Sequence, residues 1–113
     1  MDELAERPCE ACRADAPQVT SLQCEALLDQ LPQWRLIEVD GIKQLTRIYL
    51  FNGFLDAMAQ AEKVAQIAQQ ENHHPALLVE WGKLTVTWWT HKIKGLHEND
   101  FVMAARTERL FTL

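Results

Sequence analysis

Apolar positions recur at helical spacing in two stretches of the chain, near Cys24 and through its middle from Phe54, and strand-like stretches lie between and after them. Cys24, Leu27, Leu28 and Leu31 repeat every three or four residues, which marks one face of a helix. Thr20 and Gln23 form a capping-box pair ahead of them, and Pro32 is expected to end the helix, so it is predicted over 21–31. Trp34 to Val39 and Ile42 to Phe51 flank Asp40-Gly41. That dipeptide suits two adjacent positive-φ positions and predicts a β-hairpin. In its register Val39 opposes Ile42, and Glu38 opposes Lys43 as a pair of opposite charge. A longer helix is predicted over 54–70, with Asn52 as its cap. Its apolar stripe is Phe54, Ala57, Met58, Ala61, Val64, Ala65 and Ala68. So many alanines imply close approach to a sheet or a partner helix.

Asn72 to Pro75 breaks this helix. Ala76 to Trp81 and Leu84 to His91 read as two strands joined at Gly82-Lys83. With a two-residue turn there, Trp81 opposes Leu84, Val79 opposes Val86 and Leu77 opposes Trp88. This apolar face is expected beneath the helices, so Trp81 is assigned to packing. The other face pairs Glu80 with Thr85, Leu78 with Thr87 and Ala76 with Trp89. One further rung sets His74 opposite His91, where Cβ atoms stand ~4.5–5.5 Å apart in a regular ladder. Pro75 is expected to end regular pairing before that rung and to lengthen the distance. A last helix is predicted over 98–110. The order α-β-β-α-β-β-α predicts an α+β fold, a four-stranded antiparallel sheet with helices packed on one face. Residues 1–19 contain Pro8 and Pro17 and lack periodicity. They are expected to form a loosely ordered arm before a single domain over 20–113.

Composition narrows the function classes. A chain of 113 residues that is 48% hydrophobic suffices for one domain with a core. Eleven basic residues against sixteen acidic ones give a net charge of −5, which argues against an electrostatic grip on nucleic acid. No apolar stretch approaches the ~20 residues that span a bilayer, and the first residues carry acids without an apolar core, unlike a signal peptide. No membrane association is expected, and the cytoplasm is the expected location. Cys9, Cys12 and Cys24 are odd in number. Cys9-Glu-Ala-Cys12 has metal or redox spacing, but no second such pair exists and no strand precedes it, so incidental thiols are expected.

The candidate chemistry lies in His73, His74 and His91. Three imidazoles in one place suit proton transfer, because an unperturbed pKa of ~6.5 lets one act as acid while another acts as base. A metal is not expected, for want of a nearby Cys or an obvious fourth carboxylate ligand. A His-His-Pro after a helix is ordinary linker chemistry when taken alone. Register with His91 is what raises it above that.

Gln69-x-x-x-His73-His74-Pro75, followed by Trp81, His91 and Asp100 at intervals of five, nine and eight residues, resembles the signature of the pterin-4a-carbinolamine dehydratases. Val79-Glu-Trp-Gly82, Trp88-Trp-Thr-His91 and Gly95-Leu-His-Glu-Asn-Asp-Phe101 are similar to bacterial members, and the similarity covers nearly the whole chain. The resemblance implies dehydration of 4a-hydroxytetrahydropterin to quinonoid dihydropterin by histidine general acid–base catalysis, a hydro-lyase reaction that recycles pterin for aromatic amino acid hydroxylases. It implies no metal or organic cofactor. It implies a homodimer made by joining sheets, or a homotetramer. It assigns His73 and His91 to acid–base work and His74 to binding or orienting the pterin.

Gln69, Trp89 and Asp100 are the expected substrate-binding residues. Gln69 stands where the family usually has an acidic or otherwise ionisable side chain. It can hydrogen-bond but supplies no charge, so a lower rate is expected. Glu71 is about 200° around a helix of ~3.6 residues per turn and is no substitute. Asp100 falls at about the third position of the last helix, where it either caps free N–H groups or acts directly at the site. Trp89 shares a face with His91 and either packs there or walls the pocket. His97 is expected to face solvent at a helix start. Lys92 and Lys94 are expected on a solvated strand end, with an anionic substrate side chain or another subunit as other readings. The alternative function is a non-catalytic regulatory or assembly partner, because animal members of the family also act as dimerisation cofactors of a transcription factor. A metal protein built on Cys9 and Cys12 ranks last.

Overall fold

The computed structural model describes residues 4–7 and 17–111. Cys9 and Cys12, and most of the arm expected over 1–19, lie outside the described residues.

The first helix, α1, spans Ser21–Leu28. Its capping box forms as expected: Gln23 N–H donates to Thr20 Oγ1 at 3.1 Å, and Thr20 N–H donates to Gln23 Oε1 at 2.8 Å. The helix ends before the predicted 31. From Leu27 to Trp34 the chain continues in three-residue turns, and these turn Leu31 and Trp34 into the core.

Strands β1 (Arg35–Val39) and β2 (Ile42–Leu50) form the first hairpin. Val39 opposes Ile42 and Glu38 opposes Lys43, as the pattern predicts. Asp40 and Gly41 both have positive φ, 53° and 79°, which a type I′ turn requires.

The second hairpin, β3 (Ala76–Glu80) and β4 (Lys83–Trp88), corrects the predicted register. Glu80 pairs with Lys83, Val79 with Leu84 and Leu77 with Val86. The loop is therefore Trp81-Gly82, not Gly82-Lys83. Positive φ is needed at the second loop position, and Gly82 supplies it at 71°. Trp81 leaves the strand and is 74% exposed, so its assignment to the core is wrong. Each partner moves by two residues. A pleat of period two keeps Leu77 and Val79 on the same face as Leu84, Val86 and Trp88.

The sheet order is β1-β2-β4-β3, all antiparallel, and the α+β order is the predicted one. Helices α2 (Phe54–Glu71) and α3 (Glu98–Phe111) pack against its apolar face. Ala57, Ala61, Val64 and Ala68 are the buried line of α2, and small side chains there let the helix lie close to the sheet. Phe54, Met58 and Ala65 fall outside that line and are exposed. Asn52 is not the cap of α2; Gly53 holds that position with no side-chain bond.

Two polar anchors fix α3 over the sheet. Trp88 Nε1–H donates to Thr107 Oγ1 at 3.2 Å. Glu108 Oε1 accepts from Trp34 Nε1 at 3.0 Å and Tyr49 OH at 2.5 Å, and pairs with Arg47 Nη1 at 2.9 Å. Burial first, then the bond to Glu108, pushes the Tyr49 phenol up, so it remains a neutral donor. Burial likewise pushes the Cys24 thiol up, which makes this cysteine a core residue with little thiolate character. Of the arm, Leu4–Glu6 forms a 3-10 turn with Leu4 buried. Arg106 donates to the carbonyls of Ala5 and Arg7 and pairs with Glu71 at the end of α2. Among the described residues no helix is long and apolar enough to cross a membrane.

Candidate active site

The site begins where α2 stops. Asn72 takes the left-handed conformation, φ 51° and ψ 40°, which Asn tolerates better than most residues. His73 N–H then donates to Ala68 O at 3.1 Å and Asn72 N–H to Gln69 O at 3.2 Å. This is the paired closure of a Schellman motif. The backbone of His73 is thereby fixed to the helix end before its side chain makes any contact.

The side chain of His73 points inward and is 2% exposed. Its ring lies parallel to the Trp88 indole with centroids 5.6 Å apart, and Nε2–H donates to Asp100 Oδ1 at 2.7 Å. Asp100 is fully buried, a position that is costly for a carboxylate unless its oxygens are satisfied. Oδ2 accepts from Thr90 Oγ1 at 2.8 Å and from the His97 N–H at 2.9 Å. Asp100 is also the third residue of α3, where the helix dipole favours negative charge. The two readings of Asp100 are therefore one arrangement: Oδ2 caps α3 while Oδ1 holds His73.

His97 does not face solvent. It is 6% exposed, and its Nδ1 accepts the Asn99 N–H at 3.0 Å. It serves as the N-terminal cap of α3, a role sequence reasoning missed because His is an uncommon cap.

His91 reaches the site by a different route from the predicted rung. Strand β4 stops at Trp88. Thr90 then bridges to Gly95 around a 3-10 turn, His91–Ile93. This turn brings His91 back, and its Nε2–H donates to the His74 carbonyl at 3.1 Å. His74 and His91 are thus neighbours, through side chain and main chain, although no ladder pairs them. His74 Nε2–H donates to Gln69 Oε1 at 2.9 Å. Trp89 packs its ring on that of His91 with centroids 4.4 Å apart.

A pocket of about 310 Å³ is lined by Asn72, His73, His74, His91 and Lys92. The structure brings all three expected histidines to it. Gln69, Trp89 and Asp100 stand behind the wall, and each supports one histidine: Gln69 holds His74, Trp89 packs on His91 and Asp100 holds His73. Asn72 and Thr90 were not predicted at the site, though Asn72 directly follows a helix end, a cap signal. Lys92 was expected on a solvated strand end, with contact to an anionic substrate side chain as another reading, and it lines the pocket. Nothing in the sequence pattern marks Thr90 beyond its place beside His91.

The tautomers follow from the acceptors. A backbone carbonyl, a carboxylate and an amide oxygen can only accept, so each of the three rings carries its hydrogen on Nε2 when neutral. Nδ1 is then the ring nitrogen that does not carry that hydrogen. Among the described residues no group of three or more His, Cys, Asp or Glu side chains converges as a metal centre would need.

Residues 17–110 match the family model described as pterin 4 alpha carbinolamine dehydratase. A protein of Marinobacter nauticus is 55% identical over 98% of this chain and all of its own length. One of Saccharophagus degradans is 50% identical over 98% of both. Each bears the name "Putative pterin-4-alpha-carbinolamine dehydratase". A crystal structure of a transcriptional coactivator/pterin dehydratase from Brucella melitensis superposes with a TM-score of 0.75 at 27% identity, covering 85% of this chain and 100% of that one. On the match of the family model over nearly the whole described domain, the chain belongs to the pterin-4-alpha-carbinolamine dehydratase family.

Proposed function

We propose that this protein is a hydro-lyase that dehydrates 4a-hydroxytetrahydropterin to quinonoid dihydropterin through histidine general acid–base chemistry. The observation that carries the proposal is the convergence of His73, His74 and His91 on one pocket, each ring oriented through Nε2 by a fixed acceptor. In the reaction the C4a–O bond breaks with its electron pair leaving on oxygen, and an imidazolium delivers the proton that makes the leaving group water. N5–H gives its proton to a neutral imidazole, and the N5 electrons form the N5=C4a double bond. One histidine acts in its protonated form and the other in its neutral form, as a general acid and a general base must.

His73 and His91 take the acid–base roles, and His74 binds or orients the pterin. Asp100 behind His73 keeps the ring in one tautomer, as carboxylates do behind catalytic imidazoles. The substrate is supplied in the cytoplasm by an aromatic amino acid hydroxylase, to which the product returns after reduction. The protein acts as a homo-oligomer built on its exposed sheet edges.

The test is dehydration of synthetic 4a-hydroxytetrahydropterin followed against buffer. Wild type accelerates it, and His73→Ala or His91→Ala removes about 10²- to 10⁴-fold of the gain, the usual worth of a positioned acid or base. Wild-type protein with no effect over buffer sinks the proposal. It would promote the second reading, a regulatory partner, which the double name of the Brucella melitensis protein, transcriptional coactivator/pterin dehydratase, favours.

A further inference from the structure

We infer that Lys92 makes this site selective for pterins whose side chain ends in an anionic group, an inference that rests on the dehydratase reading. Among the described residues the pocket wall carries one side chain of fixed charge, Lys92, beside three histidines and Asn72, and no carboxylate. Asp100 lies behind His73, fully buried, with both oxygens bonded, and Gln69 on His74 is neutral. In a chain of net charge −5, a pocket whose formal charge is positive runs against the average of the molecule, so it favours an anion over the neutral form of the same ligand.

Position adds a second argument. Lys92 follows His91 in the turn His91–Ile93. That turn is held by Lys94 N–H to His91 O at 3.3 Å and by Thr90 N–H to Gly95 O at 2.9 Å. The backbone of Lys92 is therefore fixed beside His91, the imidazole proposed to work at C4a or N5. In the pterin ring C6 is bonded to N5, so a substituent on C6 leaves the ring next to the reacting atoms and on the rim that Lys92 occupies. A four-carbon stem ending in a point charge suits a phosphate ester or carboxylate at variable reach. Lys92 is engaged within the protein as well, and the selectivity is the difference between the two partners.

The experiment compares kcat/KM for two 4a-hydroxytetrahydropterins, one with a neutral dihydroxypropyl group on C6 and one with the same group as its phosphate monoester. Wild type favours the phosphate ester by about three- to fivefold, the scale of a solvent-accessible ion pair, mainly through KM. The preference shrinks as salt is raised toward ~1 M, where the Debye length falls to ~3 Å. Lys92→Gln brings the ratio to about one, Lys92→Glu inverts it, and Lys92→Arg keeps it. Equal kcat/KM for the two substrates in wild type overturns the inference and leaves the dehydratase reading standing. A preference that survives Lys92→Gln overturns it too. Acceleration of neither substrate overturns both.

Discussion

At the scale of single residues, each histidine of the pocket is held at Nε2 by an acceptor. Asp100 carries most of that burden, because one carboxylate both orients His73 and caps α3. Asp100→Asn keeps the shape but replaces one acceptor oxygen with a donor that must face Thr90, the His97 N–H or His73 Nε2–H. We expect kcat to fall about 10- to 100-fold, the usual effect of losing a partner behind a reactive imidazole. A loss of about 1 kcal/mol in stability should accompany it, from the weakened cap. Rates and urea melts of the variant measure both, and kcat within twofold of wild type would refute the role. The three histidines were legible in the sequence through spacing and chemistry. Their supports were legible as residues but not as roles. Gln69, Trp89 and Asp100 could be named from the chain, yet which side chain each would meet depends on where α2, β4 and α3 end relative to one another.

At the scale of elements, the two hairpins show how far turn chemistry reaches. Asp40-Gly41 offers two residues that tolerate positive φ, so register and loop were fixed together. At the second hairpin Gly82 was the lone cue, and a glycine can occupy either loop position. The apolar Trp81 then drew the strand one residue too long. A comparison of two substitutions tests the corrected turn. A Cβ at Gly41 meets nothing within 4 Å, while one at Gly82 meets Phe51 O at 3.0 Å. Both have left-handed φ, which costs an alanine about 1–2 kcal/mol. Gly82→Ala should therefore destabilise by more than Gly41→Ala, by about 1 kcal/mol more, as read from urea midpoints at equal slope. Equal losses would mean that the β2 end yields freely around Gly82.

At the scale of the whole molecule, the apolar face of the sheet is closed by helices, while among the described residues nothing closes the opposite face or the outer edge of β3. Leu78 and Ile48 are about half exposed on that open face, where Thr46 and Thr87 share a hydroxyl bond at 3.0 Å. Edge strands without charge or cover invite pairing with another chain. Light scattering should give a mass two or four times 13.0 kDa, and Leu78→Lys should shift the population toward 13.0 kDa. A wild-type species of 13.0 kDa at micromolar concentration would contradict assembly through this edge.

The sequence by itself determined the element order, the first hairpin, four of the seven residues expected in the buried line of α2, and the candidacy of the three histidines. These depend on local periodicity, on turn residues and on side-chain chemistry, all of which are written in short stretches of chain. Only the tertiary structure decided how His91 comes to His74, because that path runs through a 3-10 turn closed by Thr90 and Gly95 rather than through a ladder. It also decided that Asp100 serves cap and site at once, and that Lys92 rather than Trp89 lines the pocket. Those outcomes depend on distances between elements far apart in sequence, and packing of α3 against the sheet sets them.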